Sequence, residues 1–401
     1  MRNKLFTFIS LFGISLTLTI LIVGTSFYDY FTKSNYPTRK QDRILYTTLV
    51  KSWDKPPSER NNSYNSNFPS YYVLNKCAKS LETPERTSIY TPFPIKSSFF
   101  INSKKAELQI RYTDEEYWNI LDFKFLSGRP YNNREVAVAD RIAVIGVSIA
   151  DNFFEGAQSS IGKTIEVNNI KYKIVGVVKD ASFTSTNAYG NCFLPITTSK
   201  ENLSAKKLES YFTAMILAKN SSDFPSIKNE FQSKVKTIEL PLNNKNYIKI
   251  HVLPYIENFI YLSPIDIPTF YIMLLVIVLI IILIPSLNLV NLNVNRISER
   301  LSEIGVRKSF GARRVSLIGQ FITENIVLTL IGGIIAFVFS YIILKIIQSA
   351  GIIPTEGLLF NFRILFIGLI FCFLFGSISG FIPAYRMSRL QIVESLKNGE
   401  S

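Results

Sequence analysis

The chain has 401 residues, 18% of them charged, a mean hydropathy of +0.20 and a formal net charge of +14. That apolarity excludes an ordinary soluble basic protein, and one histidine with three cysteines excludes a histidine-rich metal site and a dense disulfide framework. Residues 29–266 carry 31 cations against 24 acids, an excess diluted over a large surface rather than concentrated as a nucleic-acid footprint, so no nucleic-acid partner is expected.

The first element is an uncharged stretch, residues 5–28, long enough to cross a bilayer as a helix of about 20 residues. It exceeds the usual apolar length of a signal peptide, and Val23-Gly24-Thr25-Ser26 is a poor cleavage site, so a retained anchor is expected. An outer domain follows. Residues 43–50 predict a strand, the Asn/Ser/Pro-rich residues 53–68 a loop, and residues 69–81 a helix, with apolar positions Tyr72, Val73, Cys77 and Leu81. Residues 114–121 predict a short helix, and residues 137–154 a mixture of strand and helix. Residues 164–167 and 170–175 alternate apolar and polar around Asn168-Asn169 and predict a hairpin. Strands are predicted at 192–196 and 213–218, and a helix at 223–235. Strands mixed with separate helices give an α+β domain.

Three more uncharged stretches follow, at 267–295, 326–344 and 364–385. Pro285 predicts a kink in the first of them. Gly332-Gly333 lies in the next, and Gly376-Ser-Ile-Ser-Gly380 in the last. Small residues at such spacing let helices approach closely in lipid, either within this chain's own bundle or at a dimer seam. The architecture predicted is therefore an α+β extracytoplasmic domain (30–265) inserted between a first transmembrane helix (1–29) and a three-helix C-terminal membrane domain (266–401), four transmembrane helices in total. Cations fix the orientation. Arg2 and Lys4 precede the first span, and Arg386, Arg389 and Lys397 follow the last. The short loop between the second and third spans holds Arg296, Arg300, Arg307, Lys308, Arg313 and Arg314, whereas residues 346–362 hold none. The positive-inside bias puts both termini and the basic loop in the cytoplasm and the large domain outside.

Several motifs invite chemistry. Gly156-Ala-Gln-Ser-Ser-Ile-Gly162-Lys163-Thr164 resembles a phosphate loop, but five residues separate its glycines instead of four, and a strand rather than a helix is predicted after it. It reads as a turn into a strand. Asp114, Glu115 and Glu116 could pair for acid–base work, yet a solvated helix N-terminus, where the helix dipole favours acids, is the simpler account. Cys77 and Cys192 both lie in the outer domain and could form one bridge, but nothing in their spacing suggests a framework, and two small buried thiols is the simpler reading. Nothing amounts to a catalytic constellation, so no enzyme activity and no metal are expected. Glu324 and Asn325 stand at the cytoplasmic start of the third span. An acid there is costly unless paired or hydrated, and it reads either as a coupling contact or as a structural acid bonded to Arg313 or Arg314.

The basic loop, 296–316, has more in it than charge. Ile297, Leu301 and Ile304 form an apolar stripe, Glu303 and Arg307 are spaced to pair, and Glu299 adds a second acid. Gly305 and Gly311 interrupt two short helical pieces, with Phe310 projecting from the second. Attraction to anionic lipid headgroups accounts for the cations. A kinked elbow that docks a protein accounts also for the acids, the glycines and the aromatic.

Glu303-Ile-Gly-Val-Arg307-Lys308-Ser-Phe-Gly311-Ala312, Gln320-Phe-Ile-Thr-Glu324 and Gly332-Gly333 closely resemble the signature of the MacB/FtsX-like ABC transporter permease family. Gly380-Phe-Ile-Pro383-Ala384-Tyr-Arg386 through Leu396 resembles that family's closing segment, with Ser395 where alanine is usual. Tyr117 to Arg129, Ile161-Gly162-Lys163-Thr164 and Val175-Gly176 to Asp180 resemble the MacB-type periplasmic core domain. The resemblance implies a permease subunit of the inner membrane, paired with a second copy or a paralogue, that binds no cofactor itself. ATP and magnesium would sit on a separate cytoplasmic ABC ATPase docked on the loop, where Glu303, Gly305, Arg307, Lys308, Gly311 and Ala312 would form the coupling elbow. Export by mechanotransmission is then expected, with room for a periplasmic adaptor. A non-transporting regulator of cell-envelope enzymes, a lipoprotein-release permease and a membrane-anchored receptor stay open.

Overall fold

The computed structural model describes residues 3–32, 36–55, 65–101, 104–239, 247–263, 265–277, 279–280, 306, 310, 314–349, 366 and 370. The chain divides into two compact units, Met1–Phe31 with Pro268–Ser401, and Thr32–Ile267.

The second unit is α+β. Its strands are β1 (Ile44–Thr47), β2 (Val50–Trp53), β3 (Asn65–Pro69), β4 (Arg86–Tyr90), β5 (Ile95–Ile101), β6 (Lys104–Thr113), β7 (Phe125–Gly128), β8 (Ile142–Gly146), β9 (Thr164–Val167), β10 (Ile170–Val178), β11 (Cys192–Pro195), β12 (Glu209–Ser210), β13 (Thr213–Leu217), β14 (Tyr247–Lys249) and β15 (Val252–Pro254). The larger sheet runs β15-β1-β13-β4-β6-β11-β8-β10-β7, with β5 also on β6 and β9 also on β10. The smaller sheet runs β12-β3-β2-β14. Two pairings are parallel, β10 with β8 and β11 with β6, and the helices α5 (Val147–Phe154) and α6 (Ala157–Ser160) lie in the crossover from β8 to β10.

The hairpin forms as its alternation predicts. Asn168 and Asn169 have φ of 51° and 66°, the left-handed pair that a two-residue hairpin turn requires, and β9 and β10 pair from Val167↔Ile170 outward. The helix in 69–81 is α2 (Tyr71–Cys77), whose first turn is capped by Ser70 Oγ accepting from Val73 N at 3.2 Å. The helix in 223–235 is α7 (Phe224–Lys236), which buries Ile227, Phe231 and Val235 at i, i+4 and i+8. A strand, β9, does follow the Gly162-Lys163 turn, where Gly162 has a φ of +85°.

Three sequence expectations are corrected. Residues 43–50 form two strands rather than one, because the chain leaves the larger sheet after Thr47 and enters the smaller one at Val50. Thr48 is held there by His251, with Thr48 N donating to His251 O and His251 N donating to Thr48 Oγ1, both at 2.9 Å. The predicted loop at 53–68 ends in a strand, since β3 pairs with β2 through Val50↔Asn67 and Ser52↔Asn65. Side chains of poor strand propensity are tolerated because the ladder hydrogen bonds and the neighbouring strand decide. Asp114 is not a solvated helix-end acid. It is 3% exposed, accepts from Ser88 Oγ (2.6 Å), Ile89 N (2.8 Å) and Tyr117 N (3.1 Å), and pairs with Lys79 Nζ at 2.7 Å. It thereby ties α3 (Glu116–Ile120) to β4. Only Glu115 and Glu116 remain partly exposed.

The core packs around Trp118, whose ring lies 5.3–5.4 Å from Phe123, Phe125, Tyr131 and Phe193. Cys77 and Cys192 are free and buried, and burial pushes each thiol up to about 12. Arg111 is wholly buried. Its guanidinium donates to the carbonyls of Tyr189, Thr91, Pro92 and Thr186, which satisfies the charge through main-chain dipoles and fixes the β10–β11 loop against the end of β4.

The chain leaves this unit through α8 (Tyr255–Tyr261) and enters an apolar helix, α9 (Ile267–Ile277). The first unit contains α1 (Asn3–Thr32) and α10 (Arg314–Ser349). Among the described residues, Leu11–Tyr30 and Ile326–Ser349 are long and apolar enough to cross a membrane. The predicted fourth span lies outside the described residues, apart from Phe366 and Ile370, as do Pro285 and most of the basic loop.

Candidate functional site

Two places in the described structure bring candidate side chains together. The first is the contact of α1 with α10. On α1 the buried residues Ile14, Leu18, Leu21 and Ile22 recur at helical spacing and form one face. On α10 the buried residues are Thr329, Gly332, Ala336 and Ser340, one stripe of small side chains. The helices meet closely at Gly332, where a Cβ would stand 2.7 Å from Ile14 Cγ2 and 3.8 Å from Leu11 O. Four residues on, Thr19 Oγ1 lies 2.7 Å from Ser15 O and 3.3 Å from Ala336 O, a polar link across the interface. Dispersion and interhelical hydrogen bonds hold helices together in lipid, and small residues give them the approach they need.

Gly332 thus sits at the close approach of the two helices, and Gly333 beside it is half-buried. Ala336 and Ser340 extend the stripe. The spacing of four from Gly332 to Ala336 to Ser340 is the signal that could have identified them in the sequence. Gly376 and Gly380 lie outside the described residues. So do Glu299, Glu303, Gly305, Arg307, Lys308, Gly311 and Ala312 of the basic loop. Phe310 is described. It is 87% exposed, and its N–H donates to Val306 O at 3.2 Å, the i to i+4 bond of a helical turn. Glu324 is half-buried on α10.

The second place is a cleft of about 250 Å³ in the outer unit, between α8 and the larger sheet. Thr47 of β1 and Thr213 of β13 lie at its floor, their hydroxyls 3.0 Å apart. Phe68, Phe93, Tyr255 and Phe259 supply aromatic walls, and Thr186 and Asn187 come from the loop that Arg111 fixes. Among the described residues, no charged side chain lines it. Asn187 Oδ1 accepts from Tyr90 OH at 2.9 Å, and burial drives the Tyr90 phenol well above its ordinary value. Asn258 of α8 is 9% exposed, and its Oδ1 has no hydrogen-bond partner. No sequence signal marks this cleft, because its lining comes from six separated segments.

Elsewhere, His251 is half-buried with Lys249, Lys228 and Lys51 around it; burial first and then these cations lower its pKa. No group of three or more His, Cys, Asp or Glu side chains able to hold a metal is found among the described residues.

Comparison with known proteins agrees with this architecture. Residues 7–234 match the MacB-like periplasmic core domain, and residues 275–392 match the FtsX-like permease C-terminal domain. The chain is 23% identical over 310 residues to the uncharacterized ABC transporter permease YknZ of Bacillus subtilis, covering 74% of each. It is 25% identical over 284 residues to the macrolide export ATP-binding/permease protein MacB of Bdellovibrio bacteriovorus, covering 67% of this chain and 41% of that protein. Among solved structures, the periplasmic region of MacB from Actinobacillus actinomycetemcomitans is similar over 55% of this chain and 94% of that one, with a TM-score of 0.37 and 14% identity. The match thus spans less than half the length of the MacB relatives and about three quarters of YknZ. With its two domains matched in order along the chain, this protein belongs to the MacB/FtsX-like ABC transporter permease family.

Proposed function

We propose that this chain is the membrane subunit through which an ABC ATPase, carried on another chain, drives conformational change of the extracytoplasmic domain, and that the work done is export. The observation that carries this reading is the order of parts along one polypeptide. The outer domain is bounded by α1 on one side, and α8 leads to the apolar helix α9 within six residues on the other. A displacement of the membrane helices therefore has a direct covalent path to both ends of that domain. The close Gly332–Ile14 contact supports the same reading, since it couples α10 to α1, the helix that leads into the domain.

In this reading four helices cross the membrane in each chain, both termini are cytoplasmic, and two chains or paralogues pair. The basic loop with Glu299, Glu303, Gly305, Arg307, Lys308, Phe310, Gly311 and Ala312 receives the ATPase. The exposure of Phe310 suits such a docking residue, since aromatic side chains anchor protein interfaces. Glu324 follows on α10, in position to pass the movement on. The named activity of the MacB relatives, macrolide export with an ATP-binding part, favours export over regulation of envelope enzymes or lipoprotein release.

The test replaces Gly305 and Gly311 by leucine in the full chain. Loss of ATPase co-purification in mild detergent is expected, with membrane insertion intact. Undiminished co-purification of the ATPase would overturn the docking role.

A further inference from the structure

We propose that the face of the smaller sheet bearing Lys51 and Lys249, together with Lys228 of α7, is a surface for the phosphate of an anionic lipid headgroup in the leaflet beside the outer domain. β2 and β14 pair antiparallel, and Lys51 stands directly opposite Lys249. Residues so paired project from the same face, and like charges there repel. α7 adds a third cation. Gln232 Nε2 donates to Ile250 O at 2.6 Å and lies 3.5 Å from His251 Nδ1, and Lys228 is one helical turn before Gln232 on the same side of α7. After burial, Lys249, Lys228 and Lys51 are the groups that lower the His251 pKa, so their fields overlap at one place. Among the described residues, no carboxylate forms an ion pair with Lys228 or Lys249. Cations gathered in this way attract an anion that the protein does not supply.

Two features select a lipid over a soluble anion. The first is the company these cations keep, since tyrosine and tryptophan gather where water meets lipid. Trp53 and Tyr247 are the next pair along the same face of β2 and β14, and Tyr247 is 40% exposed. The Tyr261 ring centre lies 4.5 Å from Lys51 Nζ, and the ring stands nearly perpendicular to that of His251. The second is position along the chain. Tyr261 ends α8, and six residues later Ile267 begins the apolar helix α9, at most roughly 20 Å away at full extension. The lysines are thereby tethered near the point where the chain would enter the bilayer, and an ammonium on a flexible stem snorkels toward the headgroups. The assignment rests on the proposed membrane entry at α9, and lipid binding there needs no ATPase.

The test uses the full chain in nanodiscs of equal parts phosphatidylcholine and phosphatidylglycerol. Both leaflets are alike, so the outcome does not depend on which side of the membrane the domain occupies. The photo-reactive residue p-benzoylphenylalanine replaces Tyr247 in one protein and Leu274 of α9 in another, and each lipid is radiolabelled in turn. Cross-linking at position 247 is expected to favour phosphatidylglycerol about 5-fold, the worth of one lysine at an anionic surface, and cross-linking at position 274 to show no preference. Lys51→Gln, Lys228→Gln and Lys249→Gln together should bring the two lipids to parity at position 247. In phosphatidylcholine alone they should leave the tryptophan-detected thermal midpoint unchanged or raised, because the like-charge pair is gone. Parity in the otherwise wild-type protein, or a preference retained in the triple variant, overturns the site. Lipid captured at position 274 but not at 247 overturns the headgroup surface and leaves the membrane entry standing, whereas capture at neither overturns both. If inorganic phosphate abolishes the preference and chloride of the same ionic strength does not, the site belongs to a free anion and the lipid assignment falls. Should the triple variant fail to fold, Lys249→Gln alone, at an exposed position, must already weaken the preference, and an unchanged ratio overturns the proposal.

Discussion

Thr48 and His251 exchange two hydrogen bonds, each of 2.9 Å, at the point where their strands pass from one sheet to the other. β1 and β15 pair on one side of this link, β2 and β14 on the other. His251, the one histidine of the chain, makes this joint through its main chain and carries its imidazole beside it.

That placement has a pH signature. Burial, then Lys249, Lys228 and Lys51, lower the His251 pKa, so the folded state holds its proton less tightly than the unfolded chain. Stability from this group is fully present above about 6.5, the unfolded value, and is lost as pH falls from there toward the lower folded value. Both tryptophans, Trp53 and Trp118, lie in the outer unit and report its unfolding. Thermal melts followed by tryptophan fluorescence should show a decline below pH 6.5 in the wild type and a flatter profile in His251→Gln. Identical slopes in the two proteins would remove this role.

Gly128 and Gly176 are register partners across β7 and β10. Gly128 has a φ of +69°, and a Cβ there would stand 2.2 Å from Val175 O; one at Gly176 would stand 2.5 Å from Arg129 O. Both clashes are with main chain, which cannot swing aside. Gly128→Ala should cost at least about 2 kcal/mol, combining left-handed backbone strain with overpacking. A fall of about 5 °C or more in the tryptophan-detected midpoint is expected.

The Asp114–Lys79 pair is buried on the acid's side, with side-chain exposures of 4% and 24%. Asp114→Ala leaves Lys79 with only its longer, 3.9 Å contact to Glu115 and removes three further hydrogen bonds at the joint of α3 and β4. A loss of about 3–5 kcal/mol is expected. Asp114→Asn keeps an acceptor for Tyr117 N and should lose less. Chemical denaturation of the three proteins gives that ranking or refutes it.

In the membrane unit, the packing of α10 on α1 rests on the missing side chain at position 332. Cysteines at Thr19 and Ala336 should cross-link in high yield, since Thr19 Oγ1 already approaches Ala336 O. Adding Gly332→Leu should cut that yield severalfold by forcing the helices apart. Gly319→Ala is the control, because a Cβ there meets nothing within 4 Å. Equal yields in the two backgrounds would mean the helices do not rely on Gly332.

Much of the fold was legible because local signals were strong. Asn168-Asn169 between alternating strands specified a hairpin, and the spacing of Ile227, Phe231 and Val235 specified α7. Charge-free length marked the two long apolar helices α1 and α10. Residues 65–69 were not legible, since Asn and Ser favour turns in isolation and become a strand only through pairing with β2. Asp114 misled for a similar reason. An acid before a helix satisfies the dipole rule whether it faces water or the core, and only the approach of β4 and Lys79 decides which.

The hydrophobic segments, the cation asymmetry, the family signature and the α+β character could all be read along the chain, because each is carried by residues near one another. Tertiary structure decided what long-range contact supplies. It chose Gly332 as the place where α10 meets Ile14, passed two strands between sheets at Thr48 and His251, and satisfied Arg111 with carbonyls from two loops. It also enclosed the uncharged cleft that Asn258 lines, whose walls have no common address in the sequence.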